Sequence, residues 1–336
     1  MISRERKNMA SGEEPPSEAR CGEEDAEGLE CELQEDGLPL WKHRPRRTRK
    51  PPLLFGTRGP GSVYRKAKSL ILLATRDRRA LTAFLRASYP DPFPLAQRLA
   101  MVRRFVEATD AIRCFHTQAE MFTVARELLS MGRREQGLTV VEAGVAKGAS
   151  SAKISLVVER LGGRLHLFDS FRGMPANSER LTRLDGSEVV FFKGAFTGRI
   201  PTVTRNLERF GCPGCCSLHK GLFEETMPRE LPDSIDLALL DVDLLASVRT
   251  CVRNIYPRLR PGGVIYCQDG HIREIVSLLG DDGFWKDEVG CAMPAIQGLG
   301  TRKFLRIVRP QEHAAGTSKA QNRNAGDKII STTSFE

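Results

Sequence analysis

Five carboxylates stand at the ends of predicted strands, and they are the first chemical feature of this 336-residue chain. They are Glu142, Asp169, Asp241, Asp243 and Asp269. Burying a carboxylate at a strand end costs desolvation free energy, so packing alone does not explain five of them. In a parallel sheet, ligands bind outside the carboxyl ends of the strands. The five carboxylates therefore predict one functional site along one rim of a sheet.

The stretch 140–148 predicts a strand, a glycine turn and the start of a helix. The β-branched run 139–141 suits a strand that is buried on both faces, and Glu142 stands where that strand ends. Gly144 and Gly148 tolerate positive φ and let a ligand approach the backbone closely. Two glycines four apart are a weak signal alone. With the helical spacing that follows, they are typical of the first unit of a nucleotide site.

Asp169 closes the second predicted strand, where an acidic residue can accept hydrogen bonds from both hydroxyls of a ribose. The alternative is a turn or cap residue before Ser170 and Phe171. The turn lacks the third glycine of the dinucleotide fingerprint, and Lys147 is no P-loop lysine because no Gly-Lys-Ser/Thr follows. A nucleoside with little or no pyrophosphate fits this pattern better than a dinucleotide.

Strands and helices alternate from Leu138 onward. The strands are predicted at 139–141, 164–168, 216–219, 235–240 and 263–267, with two more at 296–298 and 303–308. This alternation predicts an α/β fold with a doubly wound, mainly parallel sheet, in a domain over residues 133–310.

The flanking segments have a different character. Residues 61–132 repeat apolar side chains at helical spacing, and this helical extension forms either a lid or simple packing. Residues 1–60, first acidic and then basic, are predicted to be disordered, and so is the polar tail 311–336.

Composition excludes several classes of protein. A hydrophobic content of 40% supports a sizeable core, and the net charge of +9 comes largely from a basic run at 42–50. We therefore disfavour nucleic acid as a partner. No apolar stretch is long enough to span a membrane, and no signal peptide is predicted. Cysteines within apolar runs are typical of a reducing compartment, so we expect a cytoplasmic protein. The Cys-Pro-Gly-Cys-Cys stretch at 212–216 resembles half a zinc site, but a structural loop is favoured.

Several blocks, taken together, resemble one family. They are Glu-Ala-Gly-Val-Ala-Lys-Gly at 142–148, Phe-Asp-Ser-Phe-Arg-Gly-Met-Pro at 168–175, Asp-Val-Asp-Leu-Leu-Ala-Ser at 241–247, Tyr-Pro-Arg-Leu-Arg-Pro-Gly-Gly at 256–263 and the segment around Asp269. Their order and spacing, over residues 116–309, are similar to those of the macrocin O-methyltransferases, S-adenosylmethionine-dependent enzymes that methylate sugar hydroxyls of macrolide-type natural products. The resemblance implies a seven-stranded, Rossmann-like class I methyltransferase fold with an antiparallel last strand.

The resemblance also implies where the cofactor would bind. The turn from Glu142 through Gly144, Lys147 and Gly148 would hold the methionine part, Asp169 and Ser170 the ribose, and Lys220 and Gly221 the adenine end, with Asp241 as a further contact.

An alcohol is a poor nucleophile at neutral pH, so methyl transfer to a hydroxyl needs a base or a cation. The resemblance implies that Asp243 serves as base or magnesium ligand and that Asp269 is a second ligand. The chain departs from the family at Gln268, where an aspartate is usual, and a neutral amide is a weaker ligand, so magnesium stays open. His271 is a substitute base or else a histidine of a surface loop.

The leading hypothesis is an S-adenosylmethionine-dependent O-methyltransferase that acts on a hydroxyl of a small, glycosylated or otherwise hydroxylated metabolite. The alternatives are an RNA-associated methyltransferase or binding protein that uses the basic segment, and an NAD-dependent oxidoreductase on the same sheet. The sequence leaves the acceptor and a homo-oligomeric state open.

Overall fold

The computed structural model describes residues 29–33, 39–43 and 60–311. The chain divides into two compact units, Met1–Phe55 and Gly56–Glu336. None of the described helices combines the length and the apolar character that crossing a bilayer requires.

The first unit contains a pair of antiparallel strands, β1 (Leu29–Leu33) and β2 (Pro39–His43). The sequence of β1 alternates apolar residues with glutamates, and a period of two is typical of a strand. The expectation of disorder through residue 60 rested on the acidic composition and did not include this pair. The rest of that segment, and the tail that is expected after residue 311, lie outside the described residues.

Four helices open the second unit, in the stretch where helical periodicity is predicted. They are α1 (Pro60–Ala74), α2 (Arg78–Arg86), α3 (Leu95–Ala111) and α4 (Gln118–Met131). Phe122 of α4 stacks between Phe84 and Phe105, with ring centroids 5.4 and 5.7 Å away. Side chains at helical spacing on α2, α3 and α4 thus join in one apolar core.

Nine further strands follow, and seven of them form the central sheet. The strands are β3 (Thr139–Ala143), β4 (Arg164–Asp169), β5 (Leu181–Thr182), β6 (Glu188–Val189), β7 (Cys216–Lys220), β8 (Ile235–Leu240), β9 (Leu259–Cys267), β10 (Ile296–Gln297) and β11 (Leu305–Val308). The order in the sheet is β10-β11-β9-β8-β3-β4-β7. Five neighbouring strands run parallel to one another, in the order β9-β8-β3-β4-β7. Strand β11 lies between β9 and β10 and is antiparallel to both. The doubly wound, mainly parallel seven-stranded sheet with an antiparallel last strand, which the sequence resemblance implied, is thus confirmed.

Five helices connect these strands: α5 (Ala149–Arg160), α6 (Ile200–Phe210), α7 (Phe223–Glu230), α8 (Leu245–Ile255) and α9 (Arg273–Leu279). Strand β8 is buried at every position, and its side chains alternate between two apolar clusters. Leu237 and Leu239 join the core that contains α5, whereas Ala238 and Leu240 join the core that contains α8. A strand covered on both faces explains its unbroken apolar sequence.

Two short strands were not predicted. β5 and β6 pair as a small antiparallel hairpin within the long connection between β4 and α6. Strands of two residues show no period by themselves, and β10, which has the same length, was predicted only together with the longer β11 that follows it.

The seven cysteines within residues 60–311 are free thiols. The stretch at 212–216 forms a short turn, Pro213–Cys215, before β7. Among the described residues, metal-ligand geometry occurs elsewhere, at three aspartates, and not at these cysteines.

Candidate active site

The turn after β3 can be made only with glycine at its first position. Gly144 has φ 85°, and a Cβ added there would lie 1.9 Å from the carbonyl oxygen of Asp241. Gly148, with φ 79°, stands at the start of α5, where a Cβ would lie 3.2 Å from a methyl group of Val203. Such contacts and dihedral angles disfavour every other residue. The turn therefore runs in van der Waals contact with the end of β8.

The carboxylate of Asp169 fastens this turn to the end of β4. One oxygen accepts hydrogen bonds from the backbone N–H groups of Val145 (2.8 Å) and Ala146 (3.1 Å), and the other from that of Phe171 (2.7 Å). Burial raises the pKa of Asp169, and the three backbone donors lower it. Most of the acceptor capacity of Asp169 is therefore used within the protein, and its role toward a ribose stays a prediction.

Glu142 lies fully buried below the same turn. One of its oxygens accepts a hydrogen bond from the Ser150 hydroxyl on α5, and the other has no partner. Burial raises the pKa of Glu142 to about 7, although the hydroxyls of Ser150 and Ser151 lower it. A buried carboxylate with one unsatisfied oxygen is costly to the fold, so it points to a ligand that donates there.

Three aspartates meet at the ends of β8 and β9. An oxygen of each of Asp241, Asp243 and Asp269 lies within 4.8 Å of one from each of the others. Asp243 has φ 62°, a left-handed conformation that aspartate tolerates better than most residues. One Asp269 oxygen accepts from the N–H groups of Val242 (3.3 Å) and Asp243 (3.2 Å), and the other has no partner. We call these three residues the aspartate cluster.

The aspartate cluster holds its protons to an unusually high pH. Burial raises the pKa of all three carboxyl groups, most strongly that of Asp243. Repulsion from the neighbouring carboxylates raises the pKa of Asp243 and Asp269 further. Three carboxylates this close cannot all ionise near neutral pH without a compensating positive charge.

Lys303 supplies part of that compensating positive charge. It was not among the site residues that the sequence predicted. Its carbonyl oxygen accepts a hydrogen bond from the N–H of Gly270 (2.9 Å), which places the residue beside the turn after Asp269. Burial opposes the charge of Lys303, but Glu120 and the aspartate cluster outweigh burial and raise the pKa of the lysine. The only indication of this role in the sequence was a single lysine before an apolar strand.

His271 is half-buried and not a free surface residue. Its Nδ1 is buried without a partner, and its carbonyl oxygen accepts from the N–H of Leu184 (2.9 Å) in the β5–β6 hairpin. Burial, with the nearby charges of Lys303 and Arg183, lowers the pKa of His271 to about 4. The imidazole is therefore neutral and only weakly basic at pH 7.

The connection between β4 and α6 is tied to the loop that carries Asp243. The two carboxylate oxygens of Glu179 accept hydrogen bonds from Leu245 (2.8 Å) and Ala246 (3.0 Å), the first N–H groups of α8. The N–H of Thr182 donates to Glu274 (2.9 Å) on α9. The β5–β6 hairpin thus lies next to the aspartate cluster and His271. Phe192, three residues after β6, is exposed.

The remaining residues that were predicted to bind the cofactor, and Gln268, differ in burial and in hydrogen bonding. The N–H of Gly221 donates to the Asp169 carbonyl oxygen (3.1 Å), so the end of β7 lies beside the end of β4. The side chains of Lys147 and Lys220 are exposed, and Ser170 donates to the carbonyl oxygen of Gly173 (2.8 Å). Gln268 is buried with both side-chain polar atoms unpartnered.

A family of known proteins matches the part of the chain in which these site residues lie. Residues 134–288 match the family described as "Macrocin-O-methyltransferase (TylF)". The match shows that this segment, somewhat under half of the chain, is similar to the macrocin O-methyltransferases. The resemblance seen in the sequence is therefore confirmed. The family segment contains every predicted site residue from Glu142 to His271, whereas Glu120 and Lys303 lie outside it.

One relative of the family segment comes from Streptomyces olivaceus and is called 8-demethyl-8-(2,3-dimethoxy-alpha-L-rhamnosyl)-tetracenomycin-C 4'-O-methyltransferase. It is 29% identical over 174 residues, which cover 50% of this chain. The chain spans 65% of that relative's length.

Among solved structures, the O-methyltransferase NovP and the calicheamicin methyltransferase CalS11 are similar, each at 17% identity with a TM-score of 0.46. The alignments cover 75% and 78% of this chain, and 100% and 99% of the other chains. The assignment of the fold rests on the strand order and not on these scores.

Proposed function

We propose that this protein is an S-adenosylmethionine-dependent O-methyltransferase that acts on a hydroxyl of a small, glycosylated or otherwise hydroxylated metabolite. One observation carries the proposal: the aspartate cluster lies on the same sheet rim as a glycine turn that is fastened to Asp169, within a segment of the macrocin O-methyltransferase family. The relative from Streptomyces, whose name describes methylation of a sugar-bearing compound, supports the substrate class.

The polar groups around the turn fit a nucleoside that carries an amino acid. The unpartnered oxygen of Glu142 would accept a hydrogen bond from the ammonium group of the methionine part. Asp169 already accepts three backbone hydrogen bonds, and a carboxylate has about four acceptor sites. It would therefore accept from one ribose hydroxyl and not from both, while Lys220 and Gly221 stand at the adenine end.

The same hydrogen bonds argue against a nicotinamide dinucleotide. A glycine turn that binds pyrophosphate directs its backbone N–H groups at the phosphates. Here the N–H groups of Val145 and Ala146 donate to Asp169, so a phosphate would have to displace a carboxylate. This favours a cofactor without pyrophosphate and weighs against the oxidoreductase alternative.

When bound, S-adenosylmethionine supplies an electrophilic methyl group on its sulfonium. The protein's part is to hold an acceptor hydroxyl next to the aspartate cluster and to take up its proton. Asp243 is the proposed base, since its raised pKa makes its ionised form a stronger base than an ordinary carboxylate. His271 is the weaker candidate because its pKa is near 4. The hairpin beside both would limit the access of water.

The aspartate cluster also fits magnesium by its chemistry. Carboxylate oxygens are the ligands that magnesium prefers, and the second oxygen of Asp269 lacks any partner. Asp241, Asp243 and Asp269 would hold the ion, which would supply Lewis-acid stabilisation of the hydroxyl oxygen. Lys303 offsets part of the same negative charge without a metal.

Calorimetric titration of the full chain with S-adenosylhomocysteine, and separately with NAD, tests this proposal. We expect S-adenosylhomocysteine to bind and NAD to give no heat of binding. Binding of NAD alone would contradict the proposed methyl transfer and favour the oxidoreductase.

A further inference from the structure

Lys303 lies beside the aspartate cluster because β11 pairs with the strand that leads to this cluster. At one end of the antiparallel ladder between β9 and β11, Leu305 pairs with Cys267. Past that pair, the N–H of Gly270 donates to the carbonyl oxygen of Lys303 (2.9 Å), so the contact continues beyond the ladder. The stretch that follows β9 therefore runs beside Lys303, and Asp269 stands in that stretch.

The ammonium group of Lys303 acts on all three carboxylates of the aspartate cluster. Burial is the largest influence on the pKa of each aspartate and raises it, whereas the charge of Lys303 lowers it in all three. Burial disfavours the charged form of Lys303 as well, but Glu120 and the aspartate cluster outweigh burial and raise the pKa of the lysine. The side chain is therefore a permanent cation at neutral pH.

The aspartate cluster offers oxygen ligands to a divalent ion, but Lys303 makes the combined charge of the site less negative. Affinity for such an ion rises with the number of charged ligands, and a permanent positive charge nearby repels the ion. The neighbouring side chain of Gln268 is buried and adds no negative charge. Among the described residues, its amide oxygen has no hydrogen-bond partner, and it is a weaker ligand than a carboxylate oxygen. A metal ion and the lysine ammonium thus compensate the same carboxylates, and the presence of one disfavours the other.

We propose that Lys303 is the resident cation of the aspartate cluster and that it competes with divalent metal ions for these carboxylates. Its ammonium offsets negative charge in the cluster without a metal and lowers the affinity of the site for Mg²⁺ and Mn²⁺. Lys303 acts through the aspartates and is a positioning residue. It lies outside the segment that matches the family. This role does not depend on which cofactor the glycine turn binds.

Binding of Mn²⁺ to the full chain at one fixed pH, followed by electron paramagnetic resonance of the free ion, tests this role. The variant Lys303→Met removes the positive charge and retains an apolar chain of similar length. We expect it to bind Mn²⁺ about 10-fold or more tightly than the unaltered chain, because a like charge near the ion is lost. Adding Asp243→Asn to this variant should remove the gain, which locates the ion at the aspartate cluster. Damage to the site lowers affinity, so a gain reports on the charge.

Two control variants separate the charge of Lys303 from other effects. Lys303→Arg keeps a permanent positive charge and should leave the Mn²⁺ affinity within about 3-fold of that of the unaltered chain. Lys286→Met removes an exposed lysine from the segment Phe284–Val289 and should leave the affinity unchanged. Circular dichroism reports whether Lys303→Met folds. If it does not, the neutral and more polar Lys303→Gln is tested with the same expected gain.

Three results would overturn this role of Lys303: a Mn²⁺ affinity of Lys303→Met no higher than that of the unaltered chain, an equal gain in Lys303→Arg, or a gain that persists when Asp243→Asn is added. The measurement contains no cofactor, so its outcome is independent of the proposed methyl transfer. Failure of the chain to bind S-adenosylhomocysteine would contradict the proposed function and leave the role of Lys303 standing.

Discussion

At the scale of single residues, the proposed chemistry depends on carboxylates that are buried or half-buried and held close together. Glu142 and the aspartate cluster all have pKa values above the ordinary range, and burial is the largest cause in each case. Natural folds tolerate such groups mainly where a ligand or a reaction uses them. Lys303 lowers the free-energy cost of burying the aspartate cluster, because it places a positive charge beside these carboxylates.

The substitution Glu142→Gln tests whether the Glu142 carboxylate is buried, through the pH dependence of the protein's stability. The folded-state pKa of Glu142, about 7, lies above its ordinary value of 4.5, so its favourable contribution is present below pH 4.5 and is lost as pH rises through 7. The amide cannot ionise. We expect the variant to gain about 1 to 3 kcal/mol in unfolding free energy relative to the unaltered chain between pH 4.5 and pH 8.

Urea unfolding at the two pH values measures this difference. A variant whose stability follows that of the unaltered chain at both pH values would show that Glu142 does not carry the buried charge. Glu208→Gln, on an exposed glutamate of α6, serves as control.

Asp243→Asn tests the proposed base with little change of backbone. Asparagine tolerates the left-handed conformation that Asp243 adopts, so the substitution removes the proton acceptor while the loop is retained. We expect methyl transfer to a hydroxylated acceptor to fall by about 100-fold or more, with S-adenosylhomocysteine affinity within about 3-fold. Transfer of a labelled methyl group measures the rate.

The exposed Asp287 offers a matched control, because Asp287→Asn makes the same chemical change away from the rim. Unchanged transfer in Asp243→Asn would remove Asp243 from the mechanism and leave His271 or Asp241 as the base.

At the scale of the elements, parallel strands bring distant residues to one rim. The ends of β4, β3, β8 and β9 lie side by side in the sheet, and these four strands carry all five predicted carboxylates. The glycine turn fits against β8 only because Gly144 lacks a side chain. The connection from β4 to α6 closes over this rim through Glu179, which accepts from the first N–H groups of α8.

Gly144→Ala tests this close approach, and Gly290→Ala is its matched control. Both glycines have φ near 85°, but an added Cβ meets the Asp241 carbonyl at Gly144 and open space at Gly290. Each substitution should cost about 1 to 3 kcal/mol from backbone strain. Only Gly144→Ala should also abolish S-adenosylhomocysteine binding, because the turn and β8 must separate.

Thermal unfolding and calorimetry measure the two effects. If both variants bind equally well, the turn does not form the cofactor site.

The sequence predicted the strands of the sheet well for a physical reason. Runs such as Ile235–Leu240 are buried on both faces, and continuous apolar sequence bounded by turns identifies them. The hairpin of β5 and β6 escaped prediction because neither of its two-residue strands adjoins a longer strand in the sequence, as β10 does. Lys303 was missed because its role depends on neighbours that are far away in the chain. The sequence predicts that Asp169 binds both hydroxyls of a ribose. Its hydrogen bonds to the N–H groups of the turn, which limit it to one hydroxyl in the proposal, could be seen only in the structure.

At the scale of the whole molecule, the site extends beyond the family segment. Residues 134–288 supply the turn and the aspartate cluster, whereas Glu120 comes from α4 before that segment and Lys303 from the residues just before β11. Helix α4 therefore places one carboxylate close enough to Lys303 to raise the pKa of that lysine, in addition to its apolar packing.

The central claim is that one rim of the sheet holds a methyl donor between the glycine turn and the aspartate cluster. A crystal structure of the full chain with S-adenosylhomocysteine tests it most directly. We predict electron density with the amino-acid part at Gly144 and Glu142, the ribose at Asp169, and the thioether sulfur facing Asp243. Density for the ligand away from this rim, or with the sulfur directed away from the aspartate cluster, would contradict the account.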